Sequence, residues 1–424
     1  MLDLPLLKPT KREAAMSETI ERVDVLVAGG GYVGMSAALA IAASVPGARV
    51  ALVDPRPWRD ATGDPRAFAL AAAGRRMLTA LGAWSAIEDG AEPIREMIIT
   101  DSRLDELLRP VFLTFEQTDD GEPLAHMLTN GPLVASLGAA AEAAGVTFPG
   151  PDSVAATEVV PGGRRVTLAS GKTVFASLVI AADGARSRLR AGAGIGVNAW
   201  SYGQSGIVAT IEHERPHDGR AEEHFLPAGP FAVLPLKGGH RSSLVWTEKT
   251  DIAARLADGE PFLFDAELTR RLGHRLGTLK VIGPRRAFPL GLTLARRFVS
   301  DRLALIGDAA HAIHPIAGQG LNLGFKDAAA LAEVVAEALR AGRDPGAADT
   351  LAAYQRWRSF DTLRMAAMTD VLNRLFSNDL TPLRLIRDFG LGLVDRLPPV
   401  KRALVNAAAE TPGEAPRLLV GEPI

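Results

Sequence analysis

The first ordered pattern in the chain is Val23-Asp24-Val25-Leu26-Val27-Ala28, a short β-branched run broken once by an acid. It is too short for a helix and is bounded by glycine, which predicts a buried parallel strand. Gly29-Gly30-Gly31-Tyr32-Val33-Gly34 follows. Ser36–Ser44, rich in Ala, Leu and Ile, then predicts a helix, and Arg49–Asp54 a second strand. Together these make one βαβ unit. Pro55, Pro57, Gly63 and Pro65 mark residues 55–66 as loop, and Ala72–Leu81 predicts a helix ended by Gly82.

Alternation returns between residues 94 and 130, with a turn at Asp120-Gly121, and predicts strands and a hairpin. Residues 132–144 read as helix. Residues 153–180 read as three strands with turns at Pro161-Gly162-Gly163 and Ser170-Gly171; the last, Val174–Ala182, ends at Asp183-Gly184. Gly206–Glu212, Phe231–Pro235 and Ser242–Thr247 are strand-like, with a helical stretch at 261–276. This region predicts an antiparallel layer inserted into a nucleotide-binding fold. Arg302–Ile306 returns to a buried strand, and Asn322–Arg340 is a long Ala/Leu/Val helix. The tail from 346 is helical, broken at Pro382 and Pro398-Pro399.

Composition narrows the picture. The 424 residues are 47% hydrophobic, enough for a large core, and the net charge of -2 lacks the basic balance of a nucleic-acid binder. With no cysteine, disulfides, thiolate nucleophiles and cysteine metal sites are excluded. The histidines are scattered without metal-ligand spacing, so no metal is expected. Residues 1–20 lack the continuous apolar core of a secretion signal and read as a flexible extension. No stretch offers the roughly 20 apolar residues a membrane-spanning helix needs.

Candidate chemistry begins at the glycine loop. Gly29, Gly31 and Gly34 fit G-x-G-x-x-G between strand and helix: the first for the tight turn, the second for approach to a pyrophosphate, the third for close helix–strand packing. The helix N-terminus offers N–H groups and partial positive charge to the phosphates. Asp54, at the end of the second strand, stands where an acid binds ribose hydroxyls and favours FAD or NAD over NADP. The plain alternative for Asp54 is an exposed strand-end carboxylate. A glycine fingerprint alone is weak in a chain with 42 glycines; the flanking elements give it weight.

A second loop runs through Leu303–Leu331. A buried strand ends at Gly307-Asp308, and Pro315, Gly318, Gln319 and Gly320 lead into a helix. Asp308 can accept a hydrogen bond from a ribityl hydroxyl. Backbone N–H groups of Gly320 to Asn322 can face a flavin carbonyl and stabilise charge there as an oxyanion hole does.

Within this loop stands His314-Pro315-Ile316-Ala317-Gly318-Gln319-Gly320-Leu321-Asn322-Leu323-Gly324, and three further stretches join it: Asp183-Gly184 through Arg190; Asp64-Pro65-Arg66 with Ala69-Leu70 and Leu81-Gly82-Ala83-Trp84; and Phe288-Pro289-Leu290. With these the chain resembles the class A flavoprotein aromatic hydroxylases, and within them the ubiquinone-biosynthesis hydroxylases, over most of residues 21–410. The resemblance implies an α/β fold in which a Rossmann-like FAD-binding domain is interleaved with an antiparallel-sheet substrate domain and followed by C-terminal helices. The expected division is a 1–20 extension, 21–200 as the first part of the FAD domain (with substrate-layer strands around 94–130), 201–290 as the substrate sheet, 291–345 as the second part of the FAD domain, and 346–424 as a helical region.

The resemblance also implies the site. FAD is held by Gly29, Gly31, Gly34, Asp54, Arg66, Asp183, Gly307, Asp308, Gly318, Gln319, Gly320, Leu321 and Asn322, with Pro315 and Gly320 forming the ring environment. No acid or base is assigned: His311 and His314 are open to a structural role as much as a catalytic one, and Asp183 reads equally as a turn residue. Asn130-Gly131 departs from the Asn-Arg that similar proteins often carry at this helix start. NAD(P)H is expected as a transient co-substrate, with O2 adding at the flavin C4a position before a phenol ring is hydroxylated. The expected substrate is a polyprenylated phenol or benzoquinol.

Leu380–Ala408 mixes apolar residues with Arg384, Arg387, Arg396, Lys401 and Arg402, which suits either a bilayer surface or a packed helix. The expectation is a cytoplasmic protein, peripheral on the inner face of the membrane, in a homo-oligomer or quinone-biosynthesis complex, with no nucleic-acid partner. Two alternatives stay open: a hydroxylase of a soluble aromatic, and a non-catalytic flavin-binding accessory protein of quinone synthesis.

Overall fold

A computed structural model describes residues 21–63, 66–101, 111–117, 121–314, 318–376 and 415–424. The N-terminal extension, Asp64-Pro65, Pro315 and the Leu380–Ala408 segment lie outside the described residues.

Continuous apolar runs build the nucleotide half. Val25, Leu26 and Val27 are fully buried, and Val50–Val53 are buried at every position. Strands covered on both faces need no polar alternation. The sheet runs Val299–Ser300, Leu303–Leu305, Thr173–Ala181, Glu21–Ala28, Val50–Val53, its last four strands parallel. Gly163–Leu168 and Val154–Val160 extend it antiparallel from Thr173–Ala181. The Tyr32–Ser44 helix buries Ala37, Ala38 and Ala40 completely; such small side chains let neighbouring elements approach closely. The later helix spans Gln319–Arg340, beginning ahead of the Asn322 start read from the sequence.

The second large sheet is built on alternation. Its order is His311–Ala312, Leu279–Ala295, Val197–His213, Arg241–Lys249, Gly229–Leu236, Arg220–Leu226, Glu96–Asp101, Val111–Glu116. Neighbours are antiparallel except Arg220–Leu226 and Glu96–Asp101, which run parallel. Ile207, Ala209 and Ile211 form one face, with Phe231, Leu244 and Trp246. The helices Thr250–Asp258 and Pro261–Leu272 cover it through Ala253, Phe264 and Leu268. The opposite face meets the nucleotide half, where Leu234, Leu236 and Met97 pack with Ala67 and Ala69.

Two elements here were not legible in the pattern. The Thr250–Asp258 helix is short. The Arg220–Leu226 strand carries Glu222 and Glu223, yet both are buried. Glu222 is held by Arg220, Arg275 and His224. Ala67–Ala71, Ala125–Thr129 and Glu92–Ile94 form a small sheet between the halves.

Candidate cofactor and active site

Three loops leave the C-terminal ends of adjacent parallel strands: after Ala28, after Ala181 and after Leu305. In open α/β sheets this edge is where nucleotides bind.

The first loop contains glycines of two kinds. A Cβ on Gly29 would stand 2.2 Å from the Ala182 carbonyl oxygen, and Gly29 holds φ at 118°, a conformation other residues rarely adopt. A Cβ on Gly34 would stand 2.0 Å from the Gly29 oxygen. These two glycines let backbone approach backbone. A Cβ on Gly31 would meet nothing within 4 Å, nor would one on Gly320. Gly31 faces open space at the N-terminus of the Tyr32–Ser44 helix, the position that suits a pyrophosphate. Asp54 accepts hydrogen bonds from the Gly30 N–H (2.7 Å) and the Arg56 N–H (2.8 Å), one on each oxygen. It therefore braces the loop and keeps lone pairs for a ribose hydroxyl.

The middle loop is stapled to its neighbours. Asp183 accepts from the N–H groups of Arg188 (2.9 Å) and Leu189 (3.3 Å), capping the Arg188–Gly192 turn of helix. Arg190, buried, donates to the carbonyls of Ala185 and Ala309, both at 2.8 Å. It fastens this loop to the one carrying Asp308.

The third loop rests on a buried carboxylate that the sequence reading missed. Asp327, with no exposed surface, accepts from the Gly307 N–H (2.9 Å), His311 Nε2 (2.5 Å) and Arg358 Nε (2.8 Å). Burial raises its pKa, but His311 and Arg358 outweigh that and hold it below the usual carboxylate range. Tyr354 adds a hydrogen bond to the Leu305 carbonyl at 2.8 Å. His311 is thus committed to Asp327, a structural role. A signal for Asp327 existed: with Leu323 and Leu331 it falls at i±4 on the helix's buried face, a core position for a charge.

Asp308 is exposed at the end of the Leu303–Leu305 strand. The surrounding walls desolvate its carboxyl and push its pKa up, while His311 and Arg66 pull it down. Tyr32 stands beside it, its hydroxyl pKa raised by burial and by Asp308 and opposed by Arg66. The Arg66 charge therefore acts on the same spot, and its carbonyl is fixed by the Asn130 N–H at 2.7 Å.

Gly318 caps the Gln319–Arg340 helix in the left-handed conformation, φ 64°. The helix's first N–H groups, from Gly318 to Leu321, have no intrahelical carbonyl to bind. The Asn322 side chain reaches into the small sheet. Its Oδ1 accepts from Ala71 N–H (2.9 Å), and its Nδ2 donates to the carbonyls of Ala69 (3.0 Å) and Gly318 (3.2 Å). Gly324 brings this helix against the first: a Cβ there would be 2.5 Å from Val33 Cγ2.

His314 is fully buried, its ring 5.4 Å from that of Tyr202, and neither ring nitrogen finds a hydrogen-bond partner among the described residues. Desolvation lowers its pKa to about 4, so it is neutral at pH 7.

The structure thus gathers Gly29, Gly31, Gly34, Asp54, Asp183, Gly307, Asp308 and the Gly318–Asn322 turn along one sheet edge, with Arg66 acting on it electrostatically. Pro315 lies outside the described residues. Among the described residues no group of three or more His, Asp or Glu could hold a metal ion. The open space at Gly31 and Gly320 and the acids at Asp54 and Asp308 fit an extended dinucleotide.

This framework, a dinucleotide cradle facing a mostly antiparallel sheet, is that of a nucleotide-dependent oxidoreductase. The model of the FAD binding domain family matches residues 22–365. Ubiquinone hydroxylase UbiL of Rhodospirillum rubrum is 43% identical over 408 residues, 95% of this chain and 93% of that protein. The 3-demethoxyubiquinol 3-hydroxylase of Escherichia coli is 34% identical, covering 92% of this chain and 99% of that one. Among solved structures, p-nitrophenol 4-monooxygenase PnpA of Pseudomonas putida superposes with a TM-score of 0.76 at 19% identity, over 91% of this chain and 98% of that one. The chain belongs to the ubiquinone-biosynthesis hydroxylase family of FAD-dependent monooxygenases and is an FAD-dependent aromatic-ring hydroxylase.

Proposed function

We propose that this protein hydroxylates the aromatic ring of a polyprenylated phenol or benzoquinol intermediate of ubiquinone biosynthesis, with NAD(P)H as reductant and O2 as oxidant. The observation that supports this most is the 43% identity to a ubiquinone hydroxylase along 95% of the chain. The bound FAD supplies the redox and oxygen chemistry. The chain's residues hold and tune it. N–H groups of the first loop and helix bind the pyrophosphate. Asp54 and Asp308 accept hydrogen bonds from ribose and ribityl hydroxyls. The N–H groups at the Gly318–Leu321 turn stabilise negative charge on the flavin ring. His314, buried and neutral, adds no charge near that turn.

Membrane association belongs to the same proposal, since a polyprenylated substrate resides in lipid. The proposal places the protein peripherally on the cytoplasmic face; no helix among the described residues is long and apolar enough to cross a membrane. A homo-oligomer or a quinone-biosynthesis complex is the proposed setting.

Deletion of the gene tests the reading. The expected result is accumulation of a prenylated intermediate lacking one ring hydroxyl, with the purified yellow protein oxidising NAD(P)H when that intermediate is added. Normal quinone with no intermediate overturns it.

A further inference from the structure

Beside the cradle, a cleft of about 210 Å3 separates Arg66 from the second sheet. Its walls are Val208, Thr210, Ile282, Pro284, Arg286 and Phe288. Local sequence creates it. Val208 pairs with Arg286, but Thr210 pairs with Ile282, so the Leu279–Ala295 strand carries extra residues between those pairs. Gly283, at φ 73°, and Pro284 form this bulge. A bulge bends its strand away from its partner and is common beside active sites. Pro284 and Pro289 also remove N–H donors from a stretch whose outer side has no strand partner among the described residues until Thr293 and Leu294. The cleft is therefore open along a bent, blunted sheet edge.

We infer that this cleft holds the first part of the substrate's hydrocarbon tail, with the ring lying toward Asp308. This deepens the reading under Proposed function and rests on it. Three observations carry the inference. Alternation points Val208 and Thr210 into the cleft while Ile207, Ala209 and Ile211 fill the core behind, so the wall is chosen independently of the fold's stability. The walls are mainly aliphatic and aromatic; Thr210 contributes a hydroxyl, and Arg286, paired with Val208, joins Arg66 as a second cation on the lining. Arg66 lines the side of the cleft toward the nucleotide half, and its charge also reaches Asp308 and Tyr32.

Size assigns the ligand segment. Sites that enclose a whole drug-sized ligand run to roughly 300–1,000 Å3. A 210 Å3 cleft takes part of a chain and lets the rest leave over Pro284 and Phe288, the latter 42% exposed. Each methylene buried there multiplies affinity about fourfold. The cleft thereby acts as a specificity element, selecting tailed rings over bare ones.

The test compares kcat/KM of the FAD-loaded protein for a phenol bearing several isoprene units and for the same ring without a tail. The wild type is expected to prefer the tailed phenol. Ile282→Asp and Thr210→Trp should each reduce that preference at least tenfold, with flavin absorbance per protein confirming a folded, loaded enzyme. Phe262→Ala, at a residue 78% exposed on a covering helix, should keep the wild-type preference. An unchanged preference in both cleft variants overturns the inference and leaves the proposed function standing. If the wild type turns over neither phenol, the proposed function falls and the inference with it.

Discussion

The two halves of this protein solve packing with opposite materials. The nucleotide half is built on small residues: Ala37, Ala38, Ala40, Ala51, Ala328, Ala329, Ala330 and Ala332 are all completely buried. Its site is made of backbone, set where Cβ atoms are missing. The substrate sheet is built on large residues: Phe231, Trp246 and Phe264 fill its core, and the Arg271 guanidinium lies 4.2 Å over the Trp246 ring. Its cleft is made of side chains. Where this grip sets backbone against backbone, at Gly29 and Gly34, it tolerates almost no substitution, because an added Cβ collides with main chain. A wall made from side chains can be retuned one residue at a time.

That contrast can be broken most directly with two substitutions of similar cost. Phe264→Ala, at a residue 1% exposed, should destabilise by about 3–5 kcal/mol through lost burial and a cavity. Asp327→Ala should cost about 3–5 kcal/mol too, because Arg358 and His311 lose their buried counter-charge. Chemical unfolding measures both. Flavin titration separates them: the folded fraction of Phe264→Ala keeps wild-type affinity, whereas Asp327→Ala, which releases Gly307, binds more weakly. Equal flavin affinities would merge the halves into one undivided unit.

A somewhat smaller effect is expected from pH at His314. Its folded pKa of about 4 lies below the roughly 6.5 of an unfolded histidine. Above pH 6.5 neither state binds the proton. Between the two values only the unfolded state does, so stability falls as pH drops from 6.5 to 4, by on the order of 3 kcal/mol in total. His314→Leu removes this component. Denaturation curves that run parallel for the two proteins across that range would refute it.

Smaller still is Gly34→Ala, expected to cost about 1–3 kcal/mol by overpacking against the Gly29 oxygen. Its flavin affinity should nonetheless drop at least tenfold, since the strand and helix must part to admit the methyl group. An alanine variant with wild-type flavin binding would show that the backbone grip is more forgiving than its geometry says.

Legibility in the sequence follows the same division. The spacing of Gly29, Gly31, Gly34 and Asp54 is legible because backbone sites demand particular residues at fixed offsets. So is the Gly307-Asp308 to Asn322 loop. The bracing roles of Asp327, Arg190 and Arg358 were not read, because their partners lie far along the chain: Arg358 is 31 residues from Asp327, and Arg190 is 119 from Ala309. The Arg220–Leu226 strand was hidden for a related reason. Its buried Glu222 looks exposed until Arg275 is brought beside it. Asn322 was read as a flavin contact through its backbone, and nothing local announced that its side chain would bind Ala69 and Ala71.

That side-chain amide stands in for a peptide group on the edge of the small sheet. It places the Ala71 amide under the control of a helix hundreds of positions later. Hydrogen exchange at Ala71 therefore reports on docking of the Gln319–Arg340 helix and not only on the small sheet. If helix and strand open together, Ala71 exchanges as slowly as the amides of that helix. Arg66, which leads directly into the Ala67–Ala71 strand, then shares that lifetime, and the tempo of local opening at the cofactor's edge is set by one asparagine.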